Sequence, residues 1–310
     1  FSDDVQLVLD AQKETYVYWV EAEAPGRGGA RAYAAPTDVG PLMNESLYST
    51  KSSVVFTSAT LTVRGSTQFI KRRLGINLVD PNRLLERSLG TAFDYASQSL
   101  VLVPTYLPEP SDADRDYAAE LASFLADVFT QTHGRGMALF TSHEMLKRCA
   151  ENLASELTAP GITILAQGLT GGREKITATF KADVHSVLLG THSFWEGVDV
   201  MGESLSCLVL ARLPFAVFTD PVVAARCEAL EAKGENPFMG YSLPHAVVRF
   251  RQGFGRLLRH RDDRGIIIIA DRRIVTKRYG EWFRASIPAQ VYTCADPSVL
   301  RDAIGHFLDG

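Results

Sequence analysis

Gln252, Arg256 and Arg259 fall at i, i+4 and i+7, so a helix through them carries one amide and two guanidinium groups in a single row. Guanidinium forks match phosphate oxygens, and an arginine that meets a transferring γ-phosphate stabilises the charge of its transition state. Val247, Phe250, Phe254, Leu257 and Leu258 fall mostly on the other side, which anchors the polar row in apolar packing. Gly253 and Gly255 run against this helix, since each costs about 0.5–1 kcal/mol relative to alanine in a helix interior. Two roles would offset that cost. The basic face is solvated and the glycines admit a neighbouring helix, or the bare backbone lets a phosphate or an adjoining loop approach.

Three further stretches carry compatible chemistry. In Gly190–Val200, Thr191 and Ser193 offer hydroxyls and backbone N–H groups to phosphates, and Phe194 and Trp195 offer stacking surface. Glu196 and Asp199 there offer acceptors for a ribose, a metal-bound water or an arginine. The same aromatics would serve equally as core, and Asp199 as a turn cap. In Thr141-Ser142-His143, hydroxyls precede a helix start, where they bind phosphate or simply cap the helix. Val54–Leu61 is a short apolar run followed by Thr57, Ser58, Ala59 and Thr60.

These stretches need a scaffold that brings strand ends together. From Met137 onward, β-branched runs alternate with helical patterns. The strands expected are Met137–Thr141, Ile162–Ala166, Ser186–Leu189, Ser206–Leu213, Gly265–Asp271 and Gln290–Cys294. The helices are Glu144–Leu157, Arg173–Lys181, one from about Pro221, one around Arg251, Ile274–Arg284 and Pro297–Leu308. Continuous apolar strands separated by helices predict an α/β fold: a doubly wound, mostly parallel sheet flanked by helices, with ligands at the carboxyl ends of its strands. Residues 1–62 read differently, as a short β-rich segment with a hairpin of Tyr16–Val20 and Ala30–Ala35 and a strand Ser53–Ser58, so a boundary is placed near Val63.

Composition narrows the class. The chain has 310 residues, 46% hydrophobic and 22% charged, and no apolar run approaches the roughly 20 residues of a membrane span. Net charge is −4, yet Arg249–Arg284 holds eleven Lys/Arg against four Asp/Glu. Cys149, Cys207, Cys227 and Cys294 form no CxxC pair and read as scattered reduced thiols, with no metal site in this chain. A first residue of Phe1 suggests a piece of a longer protein.

Gln252–Arg259 resembles the Q-x-x-G-R-x-x-R motif VI of superfamily 2 helicases, and Asp263–Arg273 is similar to its continuation in the XPD/DinG branch. Gly197-Val198-Asp199 resembles motif V, Thr141-Ser142 motif IV and Thr57–Leu61 motif III, in the family's order. Leu210–Phe215, Asn236–Phe238 and Tyr241–Ala246 look like the bacterial DinG type, and the likeness extends from about Pro36 to Pro288. The resemblance implies a RecA-like second motor lobe over residues 63–310, with residues 1–62 as the trailing part of the first. It implies an ATP-dependent DNA helicase translocating 5′→3′ on single-stranded DNA. Arg256, Arg259 and Gln252 would be catalytic, and Glu196, Gly197, Asp199 and Gly255 would contact ATP. Thr141, Ser142, Thr191, Ser193, Phe194 and Trp195 would contact DNA, and Thr57, Ser58, Ala59 and Thr60 would couple the two.

No G-x-x-x-x-G-K-[ST] and no D-E-x-H occurs. ATP and Mg²⁺ would therefore need an N-terminal motor lobe of the same protein as partner, and the chain alone is expected to be inactive. An iron–sulfur cluster is possible in the parent but not here. A cytoplasmic, nucleoid-associated bacterial protein is implied, without membrane contact. Two alternatives stay open: an ATP-independent nucleic-acid-binding module, and the helicase part of a nuclease–helicase fusion.

Overall fold

The computed structural model describes residues 2–22, 29–91, 93–112, 115–157, 161–195, 205–258, 260 and 263–309. Along the chain lie α1 (Ser2–Asp10), β1 (Tyr16–Ala22), β2 (Ala30–Pro36), α2 (Gly40–Met43) and, after a π-type turn over Asn44–Tyr48, α3 (Gln68–Leu74). Next come α4 (Tyr95–Gln98), β3 (Ser99–Pro104), α5 (Tyr117–Gln131), β4 (Gly136–Leu139), α6 (His143–Glu156), β5 (Thr163–Ala166), α7 (Arg173–Ala182), β6 (Ser186–Gly190), α8 (His192–Trp195) and β7 (Cys207–Leu210). The chain ends with α9 (Pro221–Glu231), a second π-type turn (Phe238–Ser242), α10 (Leu243–Phe254), β8 (Gly265–Ile269), α11 (Arg273–Thr276), α12 (Gly280–Arg284), β9 (Val291–Cys294) and α13 (Pro297–Asp309).

Two compact units divide these elements: Phe1–Ser88 with Phe215–Val248, and Leu89–Pro214 with Arg249–Gly310. These units part after Ser88, and the stretch Phe215–Val248 returns to the first of them.

The second unit is built on a seven-stranded sheet of order β5-β6-β4-β7-β8-β3-β9, and every pairing in it is parallel. Its middle strands are buried on both faces, which is why their sequences run apolar without alternation. Ala138, Phe140, Val187, Leu189, Val209, Ile266 and Ile268 point to one face, against Leu121, Leu125 and Phe129 of α5, Leu146 and Leu153 of α6, and Ile304 of α13. On the other face, α10 lies close enough that a Cβ on Gly253 would sit 3.5 Å from Leu139. Phe250 meets Phe283 of α12 edge-on at 5.3 Å, and Phe254 meets Tyr95 of α4 at 6.0 Å. The expected α/β fold, with helices on both faces, is the observed one.

Three expectations change. β3 and α5 were not among the elements read from sequence. Helix Ile274–Arg284 is two short helices, because the backbone folds back until a Cβ on Gly280 would lie 2.2 Å from the Ile274 carbonyl oxygen. Ser53–Ser58 is not a strand: it finds no ladder partner among the described residues, and Val55 is 85% exposed.

In the first unit, β1 and β2 form the expected antiparallel hairpin, in which Trp19 stacks on its cross-strand partner Tyr33 at 4.9 Å. Gly75, at φ +69°, ends α3 in the left-handed region and crosses Gly40 so closely that a Cβ would overlap its backbone. Val223 and Cys227 of α9 pack with Tyr241, Phe69 and Leu230.

Candidate functional site

At the carboxyl ends of β4, β5 and β6 the sheet stops and its polar groups must find other partners. After β5, the Gln167 side chain supplies them: its Oε1 accepts from the Thr191 N–H at 2.8 Å and from the Thr191 hydroxyl at 2.9 Å, and its Nε2 donates to Ser193 Oγ at 3.1 Å. From the start of α6, His143 Nε2 lies 3.1 Å from the same Thr191 hydroxyl. Thr191 is 2% exposed at the centre of this constellation, while Gln167 and Ser193 are half-buried and His143 is exposed. It joins two expected DNA-contact residues, Thr191 and Ser193, to Gln167 and His143, which sequence reasoning did not assign. The one signal for Gln167 was its place immediately after a strand, at the sheet's ligand-bearing edge.

Ser142 caps α6, with its Oγ accepting from the Met145 N–H at 3.2 Å. Thr141 precedes it and is half-buried. Both neighbour the network through His143.

Phe194 and Trp195 are 0% exposed, so they form core and present no stacking surface. Both are wedged against glycines. A Cβ on Gly190 would lie 2.6 Å from the Phe194 ring, and a Cβ on Gly253 would lie 2.6 Å from the Trp195 indole. The indole N–H donates to the Phe140 carbonyl at 2.9 Å, tying α8 to the end of β4. Gly253 is therefore required by the adjoining α8, and that close approach offsets its cost in the helix.

The row expected from spacing is broken. α10 ends at Phe254; the Gly255 N–H still reaches the Arg251 carbonyl at 2.9 Å, and the Arg256 N–H tightens to the Gly253 carbonyl at 3.0 Å. Two glycines in three residues let the last turn close in this way. Arg256 thus leaves the helix, and its Nε donates to the Trp195 carbonyl at 2.9 Å. Gln252 remains helical, and its Oε1 is a buried acceptor with no partner among the described residues. Gly255 is half-buried. Arg259, Glu196, Gly197 and Asp199 lie outside the described residues.

Thr57, Ser58, Ala59 and Thr60 belong to the first unit, where Ser58 Oγ accepts from the Thr60 N–H at 3.1 Å. Among the described residues no group of His, Cys, Asp and Glu could hold a metal, and no helix is long and apolar enough to cross a membrane. The four cysteines are free and buried, and burial pushes the Cys149 and Cys207 thiols up to about 12.

The profile of a helicase C-terminal domain family matches residues 125–290. The 3′-5′ exonuclease DinG of Bacillus subtilis is 41% identical over 291 residues, 93% of this chain and 31% of that protein. The ATP-dependent DNA helicase YoaA of Haemophilus influenzae is 35% identical, covering 92% of this chain and 43% of that protein. The ATP-dependent helicase DinG of Mycobacterium tuberculosis is 36% identical, covering 88% of this chain and 40% of that protein. The chain belongs to the DinG-type helicase C-terminal family. It spans less than half the length of these relatives. Among solved structures, S. tokodaii Xpd4 superposes with a TM-score of 0.56 at 16% identity over 94% of this chain and 65% of that one, a likeness of fold. The parallel sheet of the DinG-type chain is thus RecA-like, and β4, β6, α8 and α10 carry or border the motif residues read from its sequence.

Proposed function

We propose that this chain is the second motor lobe, with the trailing part of the first over residues 1–62, of an ATP-dependent DNA helicase that moves 5′→3′ along single-stranded DNA. One observation carries the reading: the Arg256 guanidinium is held on the Trp195 carbonyl, so the arginine segment and the segment bearing Thr191 and Ser193 form one connected piece. A group that meets phosphate is thereby joined to groups suited to a sugar–phosphate backbone.

In this mechanism Arg256 and Arg259 stabilise the charge that grows on the γ-phosphoryl oxygens as water attacks and ADP leaves. Gln252, whose amide oxygen lacks a partner among the described residues, orients on the nucleotide side with Gly255, Glu196, Gly197 and Asp199. Thr141, Ser142, Thr191 and Ser193 hold the DNA backbone, and Thr57–Thr60 couple the two events. A preceding lobe would supply the phosphate-binding loop and magnesium, which neutralises phosphate charge when bound. A second reading, a helicase fused to an exonuclease, is favoured by the name of the Bacillus subtilis relative and concerns the parent alone.

Arg256→Ala in the full-length protein is expected to lower DNA-stimulated ATP hydrolysis about 10³-fold or more while leaving the thermal transition of the fold in place. Near-normal turnover would remove the role assigned to Arg256.

A further inference from the structure

The first unit gathers positive charge around one tyrosine. Tyr241 is 4% exposed, with the Arg73 guanidinium 5.3 Å and the Arg226 guanidinium 5.9 Å from its ring centroid. His245 stacks on the same ring at 5.4 Å and 15°. Three elements meet here: the last turn of α3, the middle of α9 and the π-type turn before α10.

Arg226 is oriented by the backbone, with its Nε donating to the Thr37 carbonyl at 3.0 Å and Nη1 donating to the Tyr241 hydroxyl at 3.4 Å. Among the described residues no carboxylate takes a hydrogen bond from Arg226 or from Arg73. The contrast with the adjacent Arg72 is direct, because Arg72 is paired with Glu235 at 3.2 Å. Asp38 is the acidic group whose charge reaches Arg73, and its Oδ1 is engaged by the Gly40 N–H at 2.8 Å. Burial, and next the like charge of Arg226, pull the Arg73 pKa below the usual arginine value.

Two guanidinium groups brought onto one buried ring repel each other. Cation–π attraction to the ring offsets only part of that repulsion. Bound oxyanion charge would offset the rest, and two planar forks with a phenol hydroxyl suit a tetrahedral group better than a lone carboxylate. We propose that Arg73, Arg226 and Tyr241 form a binding site for a phosphoryl group, separate from the motif arginines. Arg73 and Arg226 donate to the phosphoryl oxygens, and Tyr241 donates its own proton while accepting from Arg226. The phosphoryl group belongs either to a small phosphate compound or to a nucleic-acid backbone. The site does not depend on the motor reading.

The test is calorimetric titration of inorganic pyrophosphate into the 310-residue chain at constant ionic strength, repeated with Arg73→Gln, Arg73→Lys and Arg256→Ala. Binding should weaken about tenfold or more in Arg73→Gln, and less in Arg73→Lys, which keeps the charge without the fork. It should persist in Arg256→Ala. Competition by an oligo(dT) single strand assigns the site to a nucleic-acid backbone, and its absence assigns it to a small phosphate compound. A circular-dichroism melt of each variant confirms that the fold is retained. The proposal is overturned if folded Arg73→Gln binds pyrophosphate as the unaltered chain does, if only Arg256→Ala loses binding, or if the unaltered chain binds none.

Discussion

In the sheet-bearing unit, Asp271 is wholly buried at the end of β8, yet it accepts from the Leu213 N–H at 2.9 Å and is clamped by the Arg273 N–H, Nε and Nη2 at 3.1, 2.9 and 2.6 Å. Tyr117 nearby donates to the Ala211 and Ala270 carbonyls, closing the ends of β7 and β8. In the other unit, Val55 stands 85% exposed in a segment with strand-like composition, and Arg73 lies on Tyr241 without a bonded carboxylate. At the ends of β7 and β8 the sheet-bearing unit satisfies its buried polar groups from within. The other carries groups whose chemistry points to something outside the chain. A sequence of one overall composition can therefore hold both an internally closed sheet end and a region suited to a partner.

The sharpest way to break this contrast is to attack the clamp. Asp271→Ala strands the Arg273 guanidinium and the Leu213 N–H, and should cost about 3–5 kcal/mol in urea denaturation followed by tryptophan fluorescence. A loss below about 1 kcal/mol would mean that the ends of β7 and β8 are not closed by Asp271. Next in size is Gly253→Ala, whose new methyl group would sit 2.6 Å from the Trp195 indole. It is expected to destabilise the same unit by about 1–3 kcal/mol, read as a lower urea midpoint at unchanged slope. The smallest effect is expected in the first unit. Val55→Thr, at an exposed position, should change the stability of this chain by no more than about 0.5 kcal/mol. The same substitution should cost more in the full-length protein, where a preceding lobe would pair the segment; equal effects in the two would remove the idea that Ser53–Ser58 awaits a ladder.

The parallel sheet was legible because Met137–Leu139, Val187–Leu189, Leu208–Leu210 and Ile266–Ile269 are short, continuous apolar runs, a pattern that only strands covered on both faces require. β3 escaped the same reading although its run is as long: it ends in Pro104 and leads into a polar stretch rather than directly into a helix. The arginine row failed for a different reason. Periodicity continues through Gly253 and Gly255, but a local pattern cannot contain Trp195, the residue that makes Gly253 necessary. Aromatic content in Phe194–Trp195 was equally compatible with a base-stacking surface and with core, and burial decided between them. Gln167 was hidden because a single glutamine has no spacing to recognise; its importance exists only once β5 and β6 lie side by side. The Tyr241 cluster likewise needs three distant segments to meet before its charge becomes visible.

The contact between Gly253 and the Trp195 indole also has a meaning for descent. A side chain at position 253 would overlap the indole at position 195 unless the ring or a backbone shifts. As sequences of this kind drift, a gain of bulk at one position must be accompanied by a loss at the other, so the pair should be inherited as a unit. Paired changes at these positions would record a repacking of α8 against α10, and a tryptophan kept opposite a glycine would record its absence.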